Sequence, residues 1–234
     1  MTPGSSGLGI AQLAPRRALA DEVYASLTAL IMDHTIAPDA RLNIEALARD
    51  LAVSPTPVRE ALARLESDGL VVKEPLRGYR TTAVLTAGEL AQVFEFRRLV
   101  EPWAAAQATR KRGAEDIAAL RAELESAPAA TVTATQGSDY AHYAALAEHD
   151  RRFHTMLLRL AGNDVALAAF ERTRAHLHQF RYAFSTSMTT RAIAEHRVIV
   201  DAVEAGDARA ARSAMAAHLR AAHDRIVRAT PAST

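Results

Sequence analysis

Residues 43–72 read NIEALARDLAVSPTPVREALARLESDGLVV, and their spacing decides how the N-terminal part of the chain folds. Val58, Ala61, Leu62 and Leu65 recur at helical spacing, which gathers them on one face and leaves Thr56, Arg59, Glu60 and Arg64 outward. Ser54 is expected to cap this helix. Pro55 and Pro57 fall in its first turn, where a missing N–H does no harm because those donors have no intrahelical partner. Upstream, Ile44, Leu47 and Leu51 mark a shorter helix, and Ala52-Val53-Ser54 is a turn short enough to let the two cross steeply. Downstream, Val71-Val72-Lys73 and Tyr79-Arg80-Thr81-Thr82-Ala83-Val84 are strand candidates on either side of the turn residues Pro75 and Gly78. The pattern is a winged helix-turn-helix with a small β wing.

Outward from this stretch, Val23, Leu27, Leu30 and Ile31 place a helix over 19–34, closed by Ala37-Pro38-Asp39-Ala40. Beyond the wing, Thr86 and Glu89 form a capping box that opens the next helix, which puts a domain boundary near Leu85. The rest carries no strand pattern. Alanine-rich helices are expected over 86–112, with a kink at Pro102, and over 115–126, 139–160, 164–184, 189–204 and 207–229. Residues 127–138 have linker composition and are expected to be mobile. The fold class is mainly α: an N-terminal winged helix-turn-helix followed by an all-α antiparallel helical bundle. Residues 1–18 read as a flexible tail, 19–85 as the DNA-binding domain, 86–229 as the helical domain and 230–234 as a tail.

The 234 residues are 49% apolar, enough for two modest cores. A formal charge of +1 argues against general coating of nucleic acid, so a DNA contact must be local and geometric. With no cysteine, disulfides and thiolate metal sites are excluded, and a reducing cytoplasm is compatible. Arg16-Arg17 follow the apolar part of the N-terminus, the wrong order for a secretory signal, and no run is long enough to span a bilayer. A cytoplasmic protein without membrane association is expected.

Ser54-Pro55-Thr56-Pro57-Val58-Arg59-Glu60-Ala61-Leu62, with Leu65-Glu66 and Gly69-Leu70-Val71, resembles the signature of the GntR superfamily of bacterial transcription regulators. Pro55 stands where these regulators commonly carry a base-reading Arg, a departure that bears on which operator is read. The resemblance implies a homodimer that sets two recognition helices into successive major grooves of a palindromic operator in double-stranded DNA, about 34 Å apart. Ser54, Thr56 and Arg59 are the expected base or phosphate contacts, Arg64 a phosphate contact, and Arg77, Gly78 and Arg80 the wing at the minor groove.

In the helical domain, Asp150 and His154 stand four residues apart and so project from one helix face. Such a pair also occurs on solvated helices. His196 and His218, however, lie equally far from the Gly206-Asp207 turn, so an antiparallel hairpin brings them to the same height at about 1.5 Å per residue. Four nitrogen and oxygen ligands then converge. That set suits a divalent metal ion, zinc first, with nickel, manganese or iron also served. His34, His142, His149, His176, His178 and His223 lack such geometry and are expected at the surface.

Asp150-Arg-Arg-Phe153-His154, Ala161-Gly162-Asn163, Glu195-His196, Ala205-Gly206-Asp207 and Met215-Ala-Ala-His218-Leu219 resemble the FCD ligand domain of the FadR-like GntR branch. Many members of that domain family bind a divalent metal through one Asp and three His, matched here by Asp150, His154, His196 and His218. Arg97-Arg98-Leu99-Val100-Glu101 resembles the motif whose Arg points into the ligand cavity. Beside a metal with open positions, such a guanidinium would hold a small carboxylate bidentately. Arg181 is a second candidate for contact with this effector, whereas Arg174 is expected to snorkel to water.

The resemblance thus implies a transcriptional regulator, in most relatives a repressor released by its ligand. Two other readings remain. Three His and a carboxylate on zinc would also serve a hydrolase-type metalloenzyme, but no general base or nucleophile motif accompanies them, and four protein ligands fill a tetrahedral shell. Alternatively, the metal is purely structural and the bundle only dimerises.

Overall fold

Asn43 opens the helix-turn-helix: its side chain accepts from the Ala46 N–H at 2.8 Å and caps α2 (Ile44–Asp50). This computed structural model describes residues 16–127, 140–182 and 186–229. Residues 1–15 and 230–234 of the expected tails, nearly all of the expected linker at 127–138, and residues 183–184 of the helix expected over 164–184 lie outside the described residues. The chain divides into two units: one runs to Thr82, and the other comprises Met32–Thr35 and the residues from Ala83.

In the first unit, α1 (Arg16–Met32) buries Val23, Leu27 and Ile31, and α3 (Pro55–Ser67) buries Pro57, Val58, Ala61, Leu62 and Leu65. Thr56, Arg59, Glu60 and Arg64 are exposed, as their spacing predicts. Ser54 occupies the N-cap position, but its side chain makes no capping bond. Pro57, at the third helical position, removes one of the two N–H groups a capping side chain could reach, leaving only that of Thr56.

The wing pairs β2 (Val71–Glu74) with β3 (Gly78–Thr81) antiparallel, in a register that sets Val72 opposite Arg80. A third strand, β1 (Arg41–Leu42), pairs with the other edge of β3 and at two residues is too short to show as an alternation in the sequence. Thr81 fastens this edge: its hydroxyl donates to the Ala37 carbonyl and accepts from the Ala40 N–H, both at 2.8 Å.

The second unit contains seven helices among the described residues, one more than expected. The capping box at Thr86 and Glu89 opens α4 (Ala87–Lys111), which continues through the buried Pro102. Next come α5 (Ala114–Glu125), α6 (Tyr140–Ala161), α7 (Asp164–Thr173), α8 (Ala175–Tyr182), α9 (Thr186–Ala205) and α10 (Ala208–Ala229). α4 packs against α6, α9 and α10, around Phe153, Leu157, Ile199, Val200, Val203, Met215 and Leu219. The single helix expected over 164–184 is broken at Arg174, whose left-handed backbone (φ 48°) turns the chain into α8. No Gly or Pro marks the break, so periodicity ran across it. No helix among the described residues is long and apolar enough to cross a membrane.

The end of α4 holds two other helix termini. Lys111 Nζ donates to the Ala161 carbonyl at 2.8 Å, and Arg112 Nη2 to the Glu204 carbonyl at 3.3 Å, so two cations sit where helices α6 and α9 leave carbonyls unpaired. The next glycines, Gly162 (φ +67°) and Gly206 (φ +81°), leave room for them: a Cβ would fall 2.5 Å from Lys111 Nζ and 2.6 Å from Arg112 Nη2. Gly162→Ala and Gly206→Ala are each expected to cost roughly 1–2 kcal/mol in urea unfolding, from the left-handed backbone alone. Lys111→Ala should not rescue Gly162→Ala, and full rescue would make the steric contact the cause instead.

Candidate functional site

Asp150 and His154 on α6, His196 on α9 and His218 on α10 meet inside the bundle, each offering one ligand atom within 4.8 Å of the others. All four are buried. Asp150 Oδ1 lies 3.5 Å from His196 Nε2 and 3.7 Å from His154 Nε2. The rings of His196 and His218 are 4.7 Å apart between centres, so the hairpin brings them to one height as their equal distances from the turn predict. Both nitrogens of His196 lack a hydrogen-bond partner although the residue is wholly buried. A buried imidazole with nothing to bond is costly unless something else occupies the site, so the donor set fits a divalent cation.

The ligand rings are oriented by carboxylates the sequence reading did not single out. Glu101 on α4 meets His154 Nδ1 with one oxygen and accepts from Arg97 Nε at 2.5 Å with the other. Glu195 on α9 lies 2.7 Å from His218 Nδ1, and the Arg225 guanidinium grips it at 2.5 and 2.8 Å. A ring held through Nδ1 in this way presents Nε2 as the free ligand atom. Glu101 was legible as the residue one turn after Arg97, and Glu195 as the neighbour of His196; neither spacing names the histidine it reaches.

His149 and His176, expected at the surface, are both buried, which corrects that expectation. His149 lies three residues after Leu146 and four before Phe153, on the apolar stripe of α6, a signal present in the sequence. It pairs through Nδ1 with Glu123 at 2.8 Å, and Arg152 grips the same carboxylate. His176 reaches Asp150 Oδ2 through Nδ1 at 2.8 Å, an approach set by the break at Arg174. Of the other histidines, His34 is exposed, His178 and His223 are half-buried, and the side chain of His142 is outside the described residues.

The electrostatics follow from burial against pairing. Burial pushes the Asp150 carboxyl upward, but the neighbouring His154 ring and the hydrogen bond with His176 outweigh it and hold it well below the usual carboxylate range. Glu101 is lowered for the same reason, with Arg97 and His154 outweighing burial. Glu195 is held at about 2 by His218 and Arg225 against the opposing effect of burial. Burial lowers His196 and His218, keeping their lone pairs available, and takes His176 to about 4. For His154 burial is outweighed by Glu101 and Asp150, which raise it.

Arg97 is buried beside this cluster: Nη1 donates to Gln179 Oε1 at 3.0 Å, and Nη2 lies 3.4–3.5 Å from the ring nitrogens of His154. Arg181 is also buried, with Nη1 3.4 Å from the Ala83 carbonyl. Arg174 is half-buried.

On the first unit, Ser54, Thr56, Arg59, Arg77 and Gly78 are exposed. Arg59 lies 3.6 Å from Glu45 in an open surface pair of little energetic weight. Arg64 bonds Asp21 and lies over the Tyr24 ring at 4.2 Å. Arg80 is paired with Asp39 and Glu74, each at 3.1 Å. Both guanidiniums would have to exchange these partners to take a phosphate.

Residues 19–81 match the bacterial regulatory proteins of the gntR family, and residues 92–221 match the FCD domain. An uncharacterized HTH-type transcriptional regulator in an unstable DNA locus of Streptomyces ambofaciens is 32% identical over 215 residues, 88% of this chain and 84% of its own. The HTH-type transcriptional regulator LutR of Bacillus subtilis (strain 168) is 27% identical over 215 residues, 83% of this chain and 95% of its own. Among solved structures, E. coli McbR/YncC shares the fold with a TM-score of 0.64 at 22% identity, over 90% of this chain and 97% of that one.

The Arg97–Glu101 pair is almost wholly removed from water, each side chain 1% exposed. Arg97→Ala therefore strands a buried carboxylate beside His154 and is expected to destabilise the protein by roughly 3–5 kcal/mol. Urea midpoints of wild type and Arg97→Ala check this, and a loss below about 1 kcal/mol, the worth of an exposed pair, would contradict it.

Proposed function

The chain belongs to the gntR family of bacterial regulatory proteins and is a DNA-binding transcriptional regulator with an FCD domain, not an enzyme, and we propose that it acts as a metal-dependent, acid-responsive repressor. Asp150, His154, His196 and His218 hold a divalent ion, zinc first among the candidates. The observation that carries this reading is the convergence of four buried ligand atoms on a histidine, His196, with both nitrogens unpartnered. A small organic acid completes the metal's coordination, with Arg97 and Arg181 as the cations nearest in kind to its carboxylate. When bound, the metal supplies positive charge and an open position for a carboxylate oxygen.

A homodimer in the cytoplasm would set two copies of α3 into successive major grooves of a palindromic operator, with Ser54, Thr56 and Arg59 at bases or phosphates, Arg64 at a phosphate and Arg77, Gly78 and Arg80 at the minor groove. The acid releases DNA only insofar as it binds one arrangement of the dimer better than the other.

The discriminating experiment is a thermal-shift screen of metal-loaded protein against small carboxylates, repeated on the His196→Ala/His218→Ala variant. A ligand at about 100 times its Kd adds about 2.7 kcal/mol, a rise of several degrees in Tm. The rise should vanish in the variant, and the same acid should release operator DNA. Bound metal with no acid response would favour a purely structural ion, and absence of metal would sink the proposal.

For the DNA face, Arg59→Ala is expected to cost about 1–3 kcal/mol of operator affinity and to relax preference at one base position. A loss equal on every sequence would assign Arg59 to phosphate instead, and no loss would remove it from the interface.

A further inference from the structure

Two of the three histidine ligands have their Nδ1 held by a carboxylate, Glu101 for His154 and Glu195 for His218. His196 has none: its Nε2 faces Asp150 at 3.5 Å and its Nδ1 is bare. A second bare nitrogen belongs to the neighbouring ring. His149 is buried, its Nδ1 is bound to Glu123 at 2.8 Å, and its Nε2 lacks a partner. The two ring centres are 5.8 Å apart and the planes tilted by 41°, so the rings are neighbours, and a hydrogen bond between the two bare nitrogens requires them to close up. Phe153, one turn after His149 on α6, stacks on the His196 face at 3.9 Å and 16°, which fixes that ring's plane and leaves its nitrogen-bearing edge to find partners within it.

The proton count is complementary. A carboxylate only accepts, so His149 Nδ1 carries the proton in its contact with Glu123, and a ring in that tautomer offers Nε2 as an acceptor. His196 bound to a cation through Nε2 carries its own proton on Nδ1 as a donor. One donor without an acceptor therefore stands beside one acceptor without a donor, both buried, where leaving either unmade is costly.

We propose that Glu123, His149 and His196 form a hydrogen-bonded relay, His196 Nδ1–H to His149 Nε2 and His149 Nδ1–H to Glu123, which makes His149 the positioning residue for the third histidine of the metal site. Arg152, donating to Glu123 at 2.9–3.2 Å, anchors the far end as Arg225 anchors Glu195. Each ligand imidazole is thereby tied to a carboxylate, two directly and one through a second imidazole. The inference rests on the metal reading above, and its test separates the two.

Zn²⁺ and Co²⁺ are titrated into full-length wild type, His149→Phe, His149→Gln and Glu123→Gln, with Glu195→Gln as the comparison for a carboxylate acting directly on a ligand. Wild type that takes up no Zn²⁺ removes the metal reading and this one with it. Where wild type binds, the relay requires His149→Phe to raise the Zn²⁺ Kd about 10–100-fold, as loss of such an outer partner does. His149→Gln, whose amide oxygen still accepts, should recover part of the loss. In the Co²⁺ protein, His149→Phe should abolish protection of the His196 ring N–H proton from exchange while those of His154 and His218 persist. Unchanged Zn²⁺ affinity together with a still-protected His196 N–H overturns the proposal, whatever happens to the melting temperature. Should His149→Phe fail to fold, the same readouts on His149→Gln and Glu123→Gln decide: unchanged values in both overturn it.

Discussion

Ionisable groups placed in the middle of a helical bundle must find partners there, and this requirement governs the second unit. Asp150, Glu101, Arg97 and the rings of His149, His154, His176, His196 and His218 are all withdrawn from water. An isolated charge in such surroundings is prohibitive, whereas a charge held by an opposite one and by hydrogen bonds is tolerable. The bundle accordingly answers nearly every one of them: Glu101 bridges Arg97 and His154, Glu195 bridges His218 and Arg225, and His176 takes the free oxygen of Asp150. His196 is the exception, and an exception at the centre of four converging ligand atoms is what a cation would resolve.

The same network explains why a metal here would be coupled to more than its ligands. The ligands come from α6, α9 and α10, and the groups that orient them come from α4, α5 and α9. A cation in the site would engage side chains from several helices at once, together with the carboxylates bonded to them. Arg97 sits at a junction in this arrangement, touching Glu101, Gln179 of α8 and the ring of His154. An acid competing for its guanidinium would perturb the ion pair that holds His154, a route by which occupancy would bias the arrangement of the bundle.

The first unit works on different physics. α3 is built so that its buried face needs only apolar contacts, while its outward face carries Thr56 and Arg59, uncommitted to anything stronger than an exposed pair. Arg80 in the wing is instead engaged by Asp39 and Glu74, and Arg64 by Asp21. A phosphate contact by either side chain would therefore exchange one anion for another, with a balance that depends on salt.

What could be read from the chain alone were the features set by near neighbours. Apolar spacing over 43–72 placed the helix-turn-helix; Thr86 and Glu89 announced the start of α4; Asp150 and His154 shared a face because four residues make one turn; and His196 met His218 because both are equally distant from a tight turn. His149 was legible too, on the Leu146–Phe153 stripe, but no spacing in the sequence points to its partner Glu123. Other features were decided only by the tertiary structure. Ser54 took the N-cap position without a capping bond, Arg174 broke a helix that periodicity carried across, and His154 found Glu101 at a separation of 53 residues, Gln179 reached Arg97 across 82, and Glu123 reached His149 across 26. Helical spacing and capping act within about one turn, so the sequence carries them openly. Which buried acid answers which buried base depends on helices from distant parts of the chain packing together, and that is known only when they have packed.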